Sequence, residues 1–164
     1  MSKFWNIKAM ADNSSTELFV YGDISDSAYW DEVGAKEFVA DLSKVTSNDI
    51  TVRINSGGGS AFAGFAMYNS LKQHKASITV RVDGLAGSAA SIVAMAGDKI
   101  IMPLGSMMFI HNSWTYAAGN SGELKEHAEM LSKIDTTMLE VYKAKTGLDE
   151  ATIKDLMDKD SWLT

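Results

Sequence analysis

Residues 77–96 read Ser77-Ile-Thr-Val-Arg-Val82-Asp-Gly84-Leu-Ala-Gly87-Ser88-Ala-Ala-Ser91-Ile-Val-Ala-Met-Ala96. Branched residues alternate at Ile78, Val80 and Val82, which predicts a strand over 77–82 with one buried face. Gly84 to Gly87 supplies a turn, and the small apolar residues from Ser88 to Ala96 predict a helix. The same unit stands just upstream. Ile50-Thr-Val-Arg-Ile54 alternates as a strand, Ser56-Gly57-Gly58-Gly59-Ser60 turns, and Ala61 to Gln73 reads as a helix. Consecutive strand–turn–helix units imply right-handed βαβ crossovers and a largely parallel sheet, so the fold class is α/β.

Outward from this centre, Leu18-Phe-Val-Tyr21 reads as a strand closed by Gly22-Asp23. Between Ser27 and Val45, Ala35, Phe38, Val39 and Leu42 recur at helical spacing. Ile100-Ile-Met102 and Met107-Met-Phe-Ile110 are short apolar runs. Gly122 to Thr146 reads as a long helix closed by Gly147, with Leu124, Ala128, Leu131, Ile134 and Met138 as its apolar side. A short helix is expected from Asp149 to about Lys159. Residues 1–16 are expected to be loosely ordered and 17–164 to form one domain.

The bulk properties fit this reading. The chain has 164 residues, of which 46% are hydrophobic and 22% charged, enough for one sizeable core. A net charge of -6 argues against a nucleic-acid surface. With no cysteine, disulfides, thiolate metal sites and a cysteine nucleophile are excluded. The first fifteen residues hold two lysines and no apolar block of signal-peptide length. The small-residue run 86–97 is too short to span a bilayer, so a cytoplasmic protein without a membrane partner is expected. The ten methionines are expected to fill core gaps, with a binding groove as the other reading.

Ser88 stands where a strand turns into a helix, among residues small enough to let a substrate backbone approach. It reads either as a nucleophile or as a helix N-cap. Ser91 lies one turn deeper and reads as a packing or hydrogen-bonding serine. Among three histidines, His74 sits in a polar turn, expected to be solvated, and His127 on the surface of the long helix. His111 closes an apolar strand, where a general base or a satisfied loop histidine would both fit. The glycine turn 56–60 lacks the Lys-Ser/Thr of a phosphate loop and does not match G-x-G-x-x-G. Its N–H groups suit an oxyanion better. Asp98, Asp149, Asp155, Asp158 and Asp160 are all candidate orienting carboxylates, and no His/Asp/Glu cluster has metal-ligand spacing.

Taken together, four ordered motifs resemble the ClpP-type serine peptidases: Ile54-Asn-Ser-Gly-Gly-Gly59, Gly84-Leu-Ala-Gly-Ser88-Ala-Ala, Pro103-Leu-Gly-Ser106-Met-Met-Phe-Ile-His111 and Asp160-Ser-Trp-Leu163. The resemblance runs from about Leu18 to the last residue. It implies a crotonase-like spiral of βαβ units with a handle helix at 122–146, and ring-forming homo-oligomers. It also implies Ser88 as nucleophile, His111 as base and Asp160 as the group orienting the imidazole. Gly59 and Ala89 N–H groups would form the oxyanion hole, with no metal or organic cofactor. The substrate would be a polypeptide. The chain departs from the housekeeping pattern at Gly57, where proline is usual, and at Asn112, where Gln-Pro usually follows the histidine. The spacing between Ser88 and His111 is shorter, and the family continues with a helix beyond the position of Thr164. These departures resemble the phage and prophage peptidases that process capsid or scaffold proteins without an unfoldase. The alternatives are an ATP-dependent Clp proteolytic subunit, a crotonase-type acyl-CoA enzyme, an inactive assembly protein, and a Ser–Lys peptidase using Lys99.

Overall fold

In a computed structural model, the chain is described at residues 3–9, 14–26 and 34–164. Its strands are β1 (Trp5–Ala9), β2 (Ser15–Tyr21), β3 (Asp49–Ser56), β4 (Ser77–Gly87), β5 (Lys99–Ile101), β6 (Met107–Ile110) and β7 (Ser161–Leu163). Its helices are α1 (Ala35–Leu42), α2 (Ala61–Gln73), α3 (Ala89–Ala94), α4 (Ser121–Thr146) and α5 (Glu150–Asp158). The chain divides into two compact units, Met1–Phe109 with Trp162–Thr164, and Ile110–Ser161.

The first unit is an α/β sheet, as the repeated strand–turn–helix pattern implies. The strand order is β1-β2-β3-β4-β6-β7, with β5 also paired to β4. β2, β3 and β4 run parallel in matched register, Leu18 beside Val52 and Val52 beside Val80. Alternation decides which face is buried. Leu18, Val20, Val52, Ile54, Val80 and Val82 are wholly inside, and Phe38, Met67 and Leu71 from the helices are buried with them. Burying each such side chain stabilises the fold by about 1.5–3 kcal/mol. Helix α1 packs on α2, α2 on α3, and α3 on β3 and β4.

Three elements differ from the sequence expectation. Within the stretch expected to be loose, Trp5–Ala9 forms an antiparallel edge strand on β2, with Trp5 buried against Phe38. β4 continues through the expected turn to Gly87, because Leu85–Gly87 pair with β6 after Thr79–Arg81 have paired with β5. β7, three residues long, was not expected. Helix α1 occupies the second half of the predicted 27–45 helix; the first part, 27–33, lies outside the described residues.

The second unit holds α4 and α5, which pack on each other. α4 starts at a capping box. Asn120 Oδ1 accepts the N–H groups of Gly122 and Glu123, and Glu123 Oε2 accepts that of Asn120 at 2.7 Å. It ends at Gly147, whose φ of 71° is the left-handed helix stop. The buried residues of α4, Ile134, Met138, Leu139 and Tyr142, all fall in its second half. No described helix is long and apolar enough to cross a membrane.

Candidate active site

Ser88 stands between β4 and α3 with φ 50° and ψ -124°. A β-carbon resists that conformation, at a cost of about 1–3 kcal/mol. Two non-glycine residues among those described have positive φ, and they are Ser88 and Asp160, at 51°. Ser88 makes no side-chain capping bond to α3, so its geometry is not that of a helix N-cap. Its N–H donates to Phe109 O at 2.8 Å, which ties the turn to β6. Ser91, the deeper serine, is buried, and its Oγ donates to Ser88 O at 2.5 Å. It supports the turn from below.

The glycine turn lies against this serine. A β-carbon on Gly58 would come within 2.6 Å of Gly87 O, 2.7 Å of Ser88 Cβ and 2.9 Å of Ala89 N, and Gly58 has a φ of +105°. Only glycine permits that approach. Gly59 bridges to Ile24: the Ile24 N–H donates to Gly58 O and the Ser60 N–H to Ile24 O, each at 2.8 Å. Neither bond uses the Gly59 N–H, which lies on the other edge of the strand. The Ala89 N–H opens the first turn of α3, where backbone donors lack helical acceptors. The first unit therefore gathers Ser88, Gly58, Gly59 and Ala89.

His111 belongs to the second unit and is half-buried. Burial pushes its pKa below the ordinary histidine value, while the negative charges of Asp160 and Asp135 act against that shift. Four of the five candidate carboxylates have other partners. Asp98 accepts the Ile78 N–H at 2.8 Å. Asp149 caps α5 through the Thr152 N–H at 2.9 Å. Asp155 pairs with Lys159 at 2.6 Å. Asp158 receives Asn112 Nδ2 at 2.8 Å and Lys154 Nζ at 2.9 Å. Asp160 is the one of the five whose charge acts on His111.

Asp135 was absent from the sequence candidates. It accepts the Ser113 N–H at 2.6 Å, two residues past His111. The signal was its position on α4, four residues from both Leu131 and Leu139, which puts a carboxylate on an apolar stripe. His74 is tied rather than solvated: Nδ1 accepts the Ala76 N–H at 3.1 Å and Nε2 lies 3.2 Å from Val45 O. Among the described residues no group of three His, Asp or Glu side chains is placed to hold a metal ion.

The chain as a whole is similar to known proteins. The family model described as Clp protease matches residues 7–164. A proteolytic subunit of the ATP-dependent Clp protease from Deinococcus radiodurans is 29% identical over 137 residues, covering 79% of this chain and 67% of that protein. Proteolytic subunit 1 from Chlamydia abortus is 34% identical over 68% of this chain and 60% of the relative. The corresponding protein of Protochlamydia amoebophila is 29% identical over 92% of this chain and 74% of its own length. The matched part thus spans about three-fifths to three-quarters of these longer relatives. With the match covering nearly its whole length, the chain belongs to the Clp protease family, a family of serine-type peptidases.

Proposed function

We propose that this chain is a serine endopeptidase that cleaves polypeptides through an acyl-enzyme. The observation that carries the reading is Ser88 at a strained strand-to-helix turn, with Gly58 packed against it and the Ala89 N–H alongside. Such a turn sets the serine at a helix start, where backbone N–H groups lack helical acceptors. Ser88 Oγ attacks the scissile carbonyl and gives its proton to His111. The N–H groups of Gly59 and Ala89 hold the oxyanion, and removing one such donor costs about 100-fold or more. His111 then protonates the leaving amine, and Asp160 stabilises the imidazolium. Water enters and releases the acyl group by the same steps.

Covalent geometry supports the grouping. His111 directly follows Ile110, the last residue of β6. Asp160 precedes by two residues Trp162, whose ring stacks on Phe109 with centroids 4.4 Å apart. His111 and Asp160 therefore each stand one residue from an end of neighbouring strands, β6 and β7.

The relatives named above are proteolytic subunits of ATP-dependent proteases, which supports a partner unfoldase, and ring assembly through α4 follows from the resemblance of the chain to its family. They give no support to capsid or scaffold processing, which rests on the departures from the housekeeping pattern, among them Gly57, Asn112 and the shorter spacing between Ser88 and His111. Labelling with a fluorophosphonate probe and turnover of casein, with and without an ATP-driven unfoldase, tests the reading. Ser88→Ala should abolish both. Labelling that survives Ser88→Ala and vanishes in Ser91→Ala would move the nucleophile. Turnover of folded substrates only with the unfoldase supports the degradative role. Site-limited cutting of a capsid precursor without it supports the other.

A further inference from the structure

We propose that Asp135 is a positioning residue for His111, fastening the segment after the histidine to α4 and adding a second negative charge to its surroundings. This rests on His111 being the general base.

All the groups involved lie in the unit 110–161. Ser113 is attached to α4 twice. Its N–H donates to Asp135 Oδ1 at 2.6 Å, and its Oγ donates to Leu131 O at 3.2 Å. These acceptors are one helical turn apart, so residue 113 is fixed along the helix axis as well as toward it. Asp135 is half-buried, on the stripe that leads to the buried Ile134 and Met138. Asn112 is held separately, by Asp158. Both residues that follow His111 are thus fixed, one to α5 and one to α4.

A neutral acceptor would hold the Ser113 N–H nearly as well, so the choice of a carboxylate has a further consequence. Asp160 and Asp135 both favour the protonated imidazole, against the burial that disfavours it. Lys154 on α5 also feels Asp135, although its direct partner is Asp158. A base that becomes cationic during the reaction gains from negative charge supplied on more than one side.

Asp135→Asn separates the two roles, because it keeps an acceptor oxygen and removes the charge. The His111 ring titration is followed by NMR in histidine-labelled protein and assigned with His111→Gln, in parallel with the pH dependence of fluorophosphonate acylation. In Asp135→Asn the His111 midpoint should fall by about half a pH unit or more, with the melting temperature unchanged. The acidic limb of acylation should move with it. Asp135→Ala should also lose roughly tenfold or more of the plateau acylation rate, through displacement of the 111–113 segment. An unmoved midpoint in Asp135→Asn, together with an unchanged plateau in Asp135→Ala, overturns the proposal. A midpoint that moves while the acylation limb stays put supports Asp135's hold on His111 and counts instead against His111 as the base.

Discussion

Ser88 and Asp160 share a backbone conformation that their side chains do not favour, and no packing argument requires a side chain at either place. Strain of this kind persists where function selects the residue. Glycine is tolerant of positive φ, whereas alanine keeps the cost. Ser88→Gly and Asp160→Gly should therefore each be more stable than the matching alanine variant by about 1 kcal/mol in denaturant unfolding, although all four lose activity. Equal midpoints for glycine and alanine would remove the strain argument. His111 gives a second prediction. Burial lowers its folded pKa, so between the folded value and about 6.5 the unfolded chain binds more protons. Its contribution is complete above about 6.5 and is lost as pH falls through that window. Urea midpoints measured from pH 8 to 5 should decline below about 6.5, and less steeply in His111→Gln. A parallel decline in both proteins would assign it elsewhere. At this scale the sequence made the turns at Ser88 and at the glycines legible as turns, because glycines and small residues punctuate a strand–helix junction. It did not reveal Asp135. Its place on the apolar stripe of α4 marks it as a carboxylate turned inward, but helical spacing does not name the loop twenty-two positions back that it meets.

Elements were legible where one face alternates or one stripe repeats, and less so where pairing decides. β2, β3, α2 and α4 follow from periodicity within a residue or two at most ends. β1 did not, because Trp5-Asn-Ile-Lys-Ala9 becomes a strand through what it meets. Trp5 packs on Phe38, and Asp41 at the end of α1 receives Lys3 Nζ at 2.6 Å, Lys44 Nζ at 2.9 Å and Trp5 Nε1 at 3.3 Å. The Lys3 bond, followed by the Lys44 bond, lowers the Asp41 pKa to about 2. A lowered carboxylate pKa means the clamp is complete above about 4 and weakens as pH falls toward 2. Asp41→Asn should speed amide exchange across Trp5–Ala9 by roughly fivefold to tenfold, an effect of about 1 kcal/mol, and leave β3 and β4 protected. Unchanged exchange would mean that Trp5 packing alone holds the strand.

On the scale of the molecule, α4 is longer than its own packing explains. From Ser121 to Lys133 every residue is exposed except His127 and Leu131, which are half-buried, and Leu124 and Met130 are exposed apolar side chains. Trp114 and Tyr116, on the segment leading to α4, are exposed as well and meet edge to face at 5.3 Å. A helical half of about thirteen residues with no buried side chain is marginal in water, even with a capping box worth about 1 kcal/mol. A second copy laid along it would supply the missing apolar contact, as the ring-pairing reading of this helix requires. The mass in solution should therefore be a multiple of 17.8 kDa. Leu124→Asp with Met130→Asp should lower it without altering the near-ultraviolet spectrum of the folded chain. Hydrogen exchange measured across a dilution series gives the sharper reading. Amides 124–133 should be protected in the assembled protein and exchange within seconds once it dissociates, while amides 134–142, which include the buried Ile134, Met138, Leu139 and Tyr142, stay slow in both states. Protection of 124–133 that is indifferent to dilution and to the paired substitution would show that the first half of α4 is stable by itself, and the assembly argument from this helix would be withdrawn.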